Sequence, residues 1–152
     1  MRITKRSNLA LRVLMFCGVN SGRLVTKHDI AGKCNSSENH LGQVVNQLAQ
    51  AGFLETVRGR GGGIMLGKPA KDIRIGQVFR LLEAKEMVSE CFADVDNTCP
   101  LVSACRLKSA IAAAVDAFYE KLDEIALDEL IRDNVGLEEI LCIDLQEVCA
   151  AQ

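Results

Sequence analysis

Apolar side chains recur every three or four positions through three successive segments of the first 51 residues, which is the spacing of one face of an α-helix. The second segment begins with Thr26 and has Asp29 three residues later, the arrangement of a capping box. A tight connection follows, then Ser36 or Ser37 as the N-cap of the third segment, which stops at Gly52. The predicted helices cover residues 7–19, 26–31 and 37–51.

Residues 53–57 alternate between apolar and polar side chains, and a second short apolar run follows at 64–66. The connecting segment, Arg58-Gly59-Arg60-Gly61-Gly62-Gly63, is typical of a flexible turn that can approach another backbone without a Cβ collision. Three helices followed by such a hairpin predict a winged helix-turn-helix with a two-stranded wing.

Helical spacing resumes after Pro69, and the segment between residues 84 and 99 is polar and irregular. The pattern leaves residues 134–152 as a weakly specified tail. We therefore expect a mainly α fold with a small two-stranded β wing, a winged helix-turn-helix plus a long dimerisation helix. The further predicted helices cover residues 73–82, 103–123 and 126–133. The predicted units are a DNA-binding head at 1–83, a cysteine-bearing loop at 84–105, the long helix with the following short helix at 106–133, and a C-terminal tail at 134–152.

The long helix carries an apolar stripe that is too long for a head of about 80 residues to cover completely. One interpretation is a helix buried inside a single chain. We favour antiparallel pairing with the same helix of a second subunit, which predicts a homodimer. The stripe consists of Leu107, Ile111, Ala114, Phe118, Leu122 and Ile125.

The net charge of −2 conceals an uneven distribution. Residues 1–80 hold 13 Lys and Arg against 4 Asp and Glu, whereas residues 81–152 hold 5 against 16. Polar residues at the start of a helix often serve only as caps. Because they lie here in the basic half of the chain, we expect them to contact double-stranded operator DNA. The predicted contacts are Ser36, Ser37, Asn39, His40 and Gln43 on the third helix and Arg58 and Arg60 on the wing. No signal-peptide pattern or membrane-length apolar run is present, so we expect a cytoplasmic protein.

The seven cysteines include three with the spacing C-x7-C-x5-C in the polar loop, namely Cys91, Cys99 and Cys105. Soft thiolate ligands suit iron–sulfur clusters, zinc or copper(I), and a closed zinc site normally needs a fourth ligand. On spacing alone, three buried or idle cysteines remain an alternative. The other cysteines are predicted to be core, turn or tail residues without a metal role, at positions 17, 34, 142 and 149.

Several stretches resemble the IscR–NsrR–RirA superfamily of bacterial repressors. They are Met1–Thr4, Leu48–Phe53, the wing Val57–Gly63 and Leu66–Ala70, and the resemblance covers roughly residues 1–133. It implies a winged-helix head, a long dimerisation helix and an iron–sulfur cluster, [4Fe-4S] or [2Fe-2S], bound by Cys91, Cys99 and Cys105.

Within that superfamily, Arg74–Val78 and Cys105–Lys108 resemble the nitric-oxide sensor NsrR, while the wide first cysteine gap and Cys99–Val102 resemble the iron sensor RirA. IscR is the least similar branch, because its histidine ligand has no counterpart in the loop. A carboxylate that can serve as fourth ligand in NsrR is replaced here by Asn8, a poor iron ligand.

The resemblance implies a repressor that senses nitric oxide, with an iron-responsive repressor of the RirA type as the alternative. Two further alternatives use the same cysteines: a cluster-free thiol-redox repressor and a zinc-stabilised structural or adaptor protein. No nucleophile–base set or catalytic acid–base pair is recognisable, so an enzyme is not expected.

Overall fold

A computed structural model of the chain describes residues 3–83, 92 and 97–143. These residues form seven α-helices, a short 3-10 helix and one two-stranded antiparallel sheet, which is a winged helix-turn-helix with a long additional helix. The elements are α1 (Lys5–Val19), α2 (Lys27–Cys34), α3 (Glu38–Gln50), β1 (Leu54–Val57), β2 (Gly63–Leu66), the 3-10 helix (Ala70–Asp72), α4 (Ile75–Glu83), α5 (Arg106–Asp123), α6 (Leu127–Ile131) and α7 (Val135–Leu141).

The predicted helix-turn-helix is confirmed in its caps as well as in its helices. The Thr26 hydroxyl accepts a hydrogen bond from the Asp29 backbone N–H at 3.2 Å, and the Asp29 carboxylate accepts one from the Thr26 N–H at 2.9 Å. The turn after α2 passes through Asn35, which has a left-handed φ of 48°. Ser37 is the N-cap of α3, because its hydroxyl accepts from the backbone N–H of His40 at 3.4 Å.

The predicted wing is also confirmed. Leu54 pairs with Leu66 at the base of the hairpin, and Val57 pairs with Gly63 near its tip. The tip needs glycine, because Gly59 and Gly61 have φ values of 99° and 79°. The hairpin therefore projects as a short ribbon from the body of the head.

Helix α1 lies at the centre of the molecule and contacts α2, α3, β2, α4, α6 and α7. The core around it is almost entirely aliphatic, as its composition predicts. The largest fully buried side chains include Phe16, Leu14, Ile30, Leu41, Leu48, Ile73 and Leu127. Elements from beyond residue 83 thus contribute to the same core as the helix-turn-helix.

Helix α5 approaches α4 closely where α4 has a glycine. A Cβ placed on Gly76 would lie 2.3 Å from the Asp123 Oδ1 and 2.7 Å from the Tyr119 carbonyl oxygen. The Asp123 carboxylate also forms an ion pair with Arg80 of α4. Gly76 therefore permits the close crossing that positions α5 against the head.

Helix α7 lies in the segment that the sequence pattern leaves as a weakly specified tail. Asn134 is its N-cap, accepting from the Leu137 backbone N–H at 3.2 Å, and Leu141 and Ile143 are buried. The buried Asn20 at the end of α1 holds this segment: its amide nitrogen donates to the Leu141 carbonyl at 2.9 Å, and its oxygen accepts from the Ile143 N–H at 3.1 Å. Periodicity missed α7 because these partners lie more than 120 residues apart in sequence.

A buried carboxylate joins the end of α4 to the beginning of α1. Glu83 accepts hydrogen bonds from the Thr4 backbone N–H at 3.0 Å and from the Thr4 hydroxyl at 2.9 Å. It also accepts one from the hydroxyl of Ser7, which is buried. Burial alone would raise the pKa of Glu83, but the hydrogen bonds from Ser7 and Thr4, with the nearby Arg6, lower that pKa below its usual value.

Candidate DNA-binding surface and cysteine site

The apolar face of α3 determines which of its residues face solvent. Leu41, Val44, Val45 and Leu48 are buried against the rest of the head. The predicted contact residues lie on the remaining faces and in the preceding turn, with Ser37, Asn39 and Gln43 exposed and Ser36 and His40 half-buried. Their short polar groups can therefore reach base edges or phosphates without unpacking the helix.

The two predicted wing residues, Arg58 and Arg60, are exposed at the hairpin tip. Within the described part of the chain, neither guanidinium takes part in a hydrogen bond or an ion pair. Both are consequently available to an anionic groove.

The position of the helix-turn-helix depends on a residue that the sequence interpretation did not single out. Arg12 of α1 donates to the backbone carbonyl of Cys34 at 3.1 Å, at the end of α2. A cation at a helix C-terminus is favourable because it pairs with carbonyls that lack an intrahelical partner. The sequence pattern around Arg12 does not indicate this contact, because Cys34 lies 22 residues away in sequence.

A cleft of about 400 Å³ separates α2 and α3 from the wing. Lys27 of α2, Asn46 of α3 and Arg58 of the wing contribute polar side chains to it, and apolar atoms come from residues such as Val45 and Val57. Lys27 and Asn46 belong to different helices and form no motif, so their proximity could not be predicted from sequence.

Two of the three predicted cluster ligands lie in the short segment that leads into α5. Cys99 and Cys105 are free thiols and half-buried, and Cys105 is the N-cap residue of α5 without a side-chain capping bond. The backbone between them turns back on itself, with the Val102 N–H donating to the Cys99 carbonyl at 3.4 Å. The first turn of the 18-residue helix α5 therefore begins directly after the Cys105 side chain.

Cys91 lies outside the described residues. Its neighbour Phe92 is described, and the Lys108 ammonium of α5 lies 5.8 Å from the centre of the Phe92 ring. The chain at residue 92 therefore runs beside the first turn of α5, which begins directly after Cys105. Among the described residues, no group of three or more His, Cys, Asp or Glu side chains is placed to hold a metal ion.

The donor set fits a soft metal centre better at these positions than elsewhere in the described chain. Burial and the neighbouring Cys34 raise the pKa of Cys17 to about 12, and burial raises the pKa of Cys34 as well. Both thiols therefore stay protonated, which disfavours metal binding. Cys142 is exposed at the C-terminal end of α7.

Asn8, the predicted position of a fourth ligand, is exposed on the first half of α1. It lines a groove of about 440 Å³ together with Arg12, Ser36 and His40. This groove connects the start of α1 with the first turn of α3, so a ligand at Asn8 would lie close to the DNA-reading residues.

The face of α5 that carries the apolar stripe is only partly covered. Among the described residues of α5, none is buried. Leu107 is 65% exposed, whereas Phe118 packs edge-on against Phe79 of α4 with ring centres 6.2 Å apart. Ala114 is exposed, and Ile111, Leu122 and Ile125 are half-buried.

Comparison with known proteins finds one family and several similar structures. The Rrf2 family model, described as an iron-dependent transcriptional regulator, matches residues 3–133. The chain is 40% identical over 142 residues to the HTH-type transcriptional regulator NsrR of Geobacillus kaustophilus, covering 93% of this chain and 97% of that protein. It is 38% identical over 145 residues to the protein aau3 of Rhizobium meliloti, covering 91% and 94%.

Among solved structures, the oxidized form of Staphylococcus aureus CymR matches with a TM-score of 0.67 and 27% identity, covering 87% of this chain and 97% of that one. T. potens IscR matches with a TM-score of 0.70 and 23% identity, covering 88% of each chain. The fold is therefore shared with known regulators across nearly the whole chain. Within the described ranges, no helix is long and apolar enough to cross a membrane.

Proposed function

The chain belongs to the Rrf2 family of transcriptional regulators, within the IscR–NsrR–RirA superfamily, and on that basis we propose that it is a homodimeric, cytoplasmic, DNA-binding repressor controlled by an iron–sulfur cluster. The ligands are Cys91, Cys99 and Cys105, and nitric oxide is the signal. The observation that carries the proposal is the placement of Cys99 and Cys105 immediately before α5, the helix that packs against α4 of the head.

DNA binding rests on the outward faces of α3 and the wing. The exposed first turns of α3 suit the major groove, and unpaired guanidinium groups at the wing tip suit the narrow and electronegative minor groove. The excess of basic residues in the first 80 positions supplies the counterion release that drives binding to a duplex.

The homodimer rests on α5. Helix α5 packs one side against α4 but buries none of its residues fully, and most helical stability in proteins comes from packing an apolar face. Pairing of two α5 helices across a twofold axis covers the exposed side chains of the stripe and places two heads on half-sites about one turn of DNA apart.

Cluster binding rests on the donor set. Three thiolates from one loop and one helix start can enclose a soft metal centre, and Asn8 of a partner is the proposed, weaker fourth ligand. A cluster held there would supply an iron that a small diatomic such as nitric oxide can reach. The 40% identity to an NsrR regulator and the Arg74–Val78 and Cys105–Lys108 resemblance support this signal.

The same residues offer a route from the cysteines to DNA. The loop leaves α4 at Glu83, which is bonded to the start of α1, and enters α5, which crosses α4 at Gly76. A loop fixed by its cysteines therefore favours one arrangement of α5 and the heads, and a released loop permits others. A coupling of about 1–3 kcal/mol changes DNA affinity about 5- to 150-fold.

A cluster-free thiol-redox repressor is the second candidate. The similarity to a CymR structure in an oxidized form supports it, as do the accessible thiols of Cys99 and Cys105. Iron scarcity is the alternative signal, since a weakly held fourth position also permits loss of iron.

Two experiments, done one after the other, test the proposal. Protein purified anaerobically is used to select duplexes from a randomised pool, and enrichment of a twofold-symmetric site is expected; recovery of random duplexes would contradict the DNA-binding function. Visible absorbance with iron and sulfide content then separates a cluster from a zinc site or plain thiols.

The signal is tested on the selected duplex. A few equivalents of nitric oxide are expected to release the cluster-loaded protein from the duplex. An intact complex that an iron chelator dissolves would instead support iron sensing, and release by a disulfide-forming oxidant from cluster-free protein would support the thiol switch.

A further inference from the structure

The cleft between α3 and the wing lies where a strand of DNA must pass. When α3 occupies the major groove and the wing reaches the adjacent minor groove, the sugar–phosphate backbone that separates the two grooves runs between these elements. A cleft of about 400 Å³ opens between α3 and the hairpin at this point.

Three of the polar side chains that line this cleft are unpaired in the described structure. Within the described residues, the side chains of Lys27, Asn46 and Arg58 take part in no hydrogen bond or ion pair. The cleft thus holds two cations and one amide without a carboxylate to neutralise them.

The Lys27 ammonium lies beside Gly42 of the recognition helix. The Lys27 Nζ lies 3.8 Å from the point where a Cβ on Gly42 of α3 would stand. That separation is an ordinary van der Waals distance, so the ammonium lies against the surface of α3. The side chain of Lys27 is therefore carried from α2 across to the recognition helix.

From this geometry, and resting on the proposed DNA-binding function, we infer that Lys27 and Asn46 form a phosphate site for the DNA backbone strand that crosses between α3 and the wing. The Lys27 ammonium neutralises one phosphodiester, and the Asn46 amide N–H groups donate to its oxygens. Val57, which is exposed on the wing side of the cleft, offers an apolar contact to the sugar. Such a contact sets the depth of α3 in the major groove without reading a base.

The test uses the duplex selected by the wild-type protein and measures fluorescence anisotropy between about 0.05 and 0.2 M salt. Lys27→Ala should lower the slope of log affinity against log salt by about 0.9 for each bound head, which corresponds to about eightfold weaker binding per head at about 0.1 M salt. The loss should be equal on the selected duplex and on duplexes with single base changes, because phosphate contacts carry no sequence information.

Matched variants separate the phosphate contact from other causes. Lys71→Ala removes an equally exposed positive charge at the opposite end of the hairpin and should leave the slope unchanged. Lys27→Arg should restore the slope, Lys27→Gln should reproduce the loss with a side chain of similar length, and Asn46→Asp should weaken binding further by placing a carboxylate beside the phosphate.

The experiment distinguishes failure of the phosphate site from failure of the proposed DNA-binding function. If the wild-type protein selects no duplex, DNA binding itself is wrong. If it selects a duplex and Lys27→Ala keeps the wild-type slope, the phosphate site is wrong while the function stands. A loss of affinity that differs among base-substituted duplexes would also overturn the inference, because Lys27 would then read bases.

Discussion

Replacing Glu83 tests whether a buried carboxylate holds the first helix of the head in place. Glu83→Ala removes the acceptor for the Thr4 N–H, the Thr4 hydroxyl and the buried Ser7 hydroxyl. Hydrogen bonds to a charged group contribute about 1.5–3 kcal/mol each, but the three share one oxygen, and Ser7 keeps a contact with the Thr4 hydroxyl at 3.1 Å. We expect a loss of about 3 kcal/mol in the free energy of unfolding. Glu83→Gln, which keeps the acceptor without its charge, should lose about half as much.

The pH dependence gives an independent check of the same interaction. The pKa of Glu83 is lowered in the folded state, so the folded protein binds fewer protons than the unfolded chain. The stabilisation is therefore complete above the unfolded pKa of about 4.3 and is lost as the pH falls through the lower folded pKa. The difference in stability between wild type and Glu83→Gln should be constant near neutral pH and should shrink below about pH 4.

The measurement is urea unfolding followed by circular dichroism at one fixed protomer concentration, because dimerisation contributes to apparent stability. Glu120→Ala is the matched control: it removes an exposed carboxylate without a hydrogen-bond partner in the described structure and should change stability by less than about 0.5 kcal/mol. The reasoning is refuted if Glu83→Ala is as stable as this control, or if the difference between wild type and Glu83→Gln does not vary with pH.

Four further predictions concern the wing, the proposed dimer, the helix crossing and the C-terminal helix. Arg60→Ala should weaken binding to the selected duplex and lower its salt slope by about 0.9 per head, whereas Arg60→Lys should keep the slope; equal slopes would remove the wing from DNA binding. Leu107→Glu should shift the protein from dimer to monomer in sedimentation, because it places a charge at a stripe residue that its own chain leaves 65% exposed, and a wild-type monomer at micromolar concentration would contradict the dimer. Gly76→Ala should destabilise the fold by about 1–3 kcal/mol, while Gly32→Ala, whose Cβ meets no atom within 4 Å, should be neutral or stabilising by up to about 1 kcal/mol; equal effects would show that α4 and α5 do not cross so closely. Asn20→Ala should destabilise by about 2–3 kcal/mol and speed hydrogen exchange at the Ile143 amide, and unchanged exchange there would mean that α7 is held by other contacts.

Local sequence patterns predicted most of the winged helix-turn-helix. The capping box of Thr26 and Asp29, the Ser37 cap and the glycine-rich hairpin tip depend on residues that are within a few positions of one another. Helix periods and caps follow from contacts between residues three or four apart, so the sequence alone is sufficient to place them. The cysteine spacing likewise indicates a metal-binding loop, whereas the cluster, its fourth ligand and its signal stay predictions.

Only the tertiary structure decided how these elements act together. Glu83 meets Thr4 across 79 residues, Asn20 meets Leu141 across 121, and Lys27 shares a cleft with Asn46 and Arg58 from three different elements. No periodic pattern in the sequence predicts these contacts, because they form only when the packing of the aliphatic core brings separate elements together. A sequence records which side chains a helix can bury, whereas the partner that covers them is selected by the free energy of the whole packed chain.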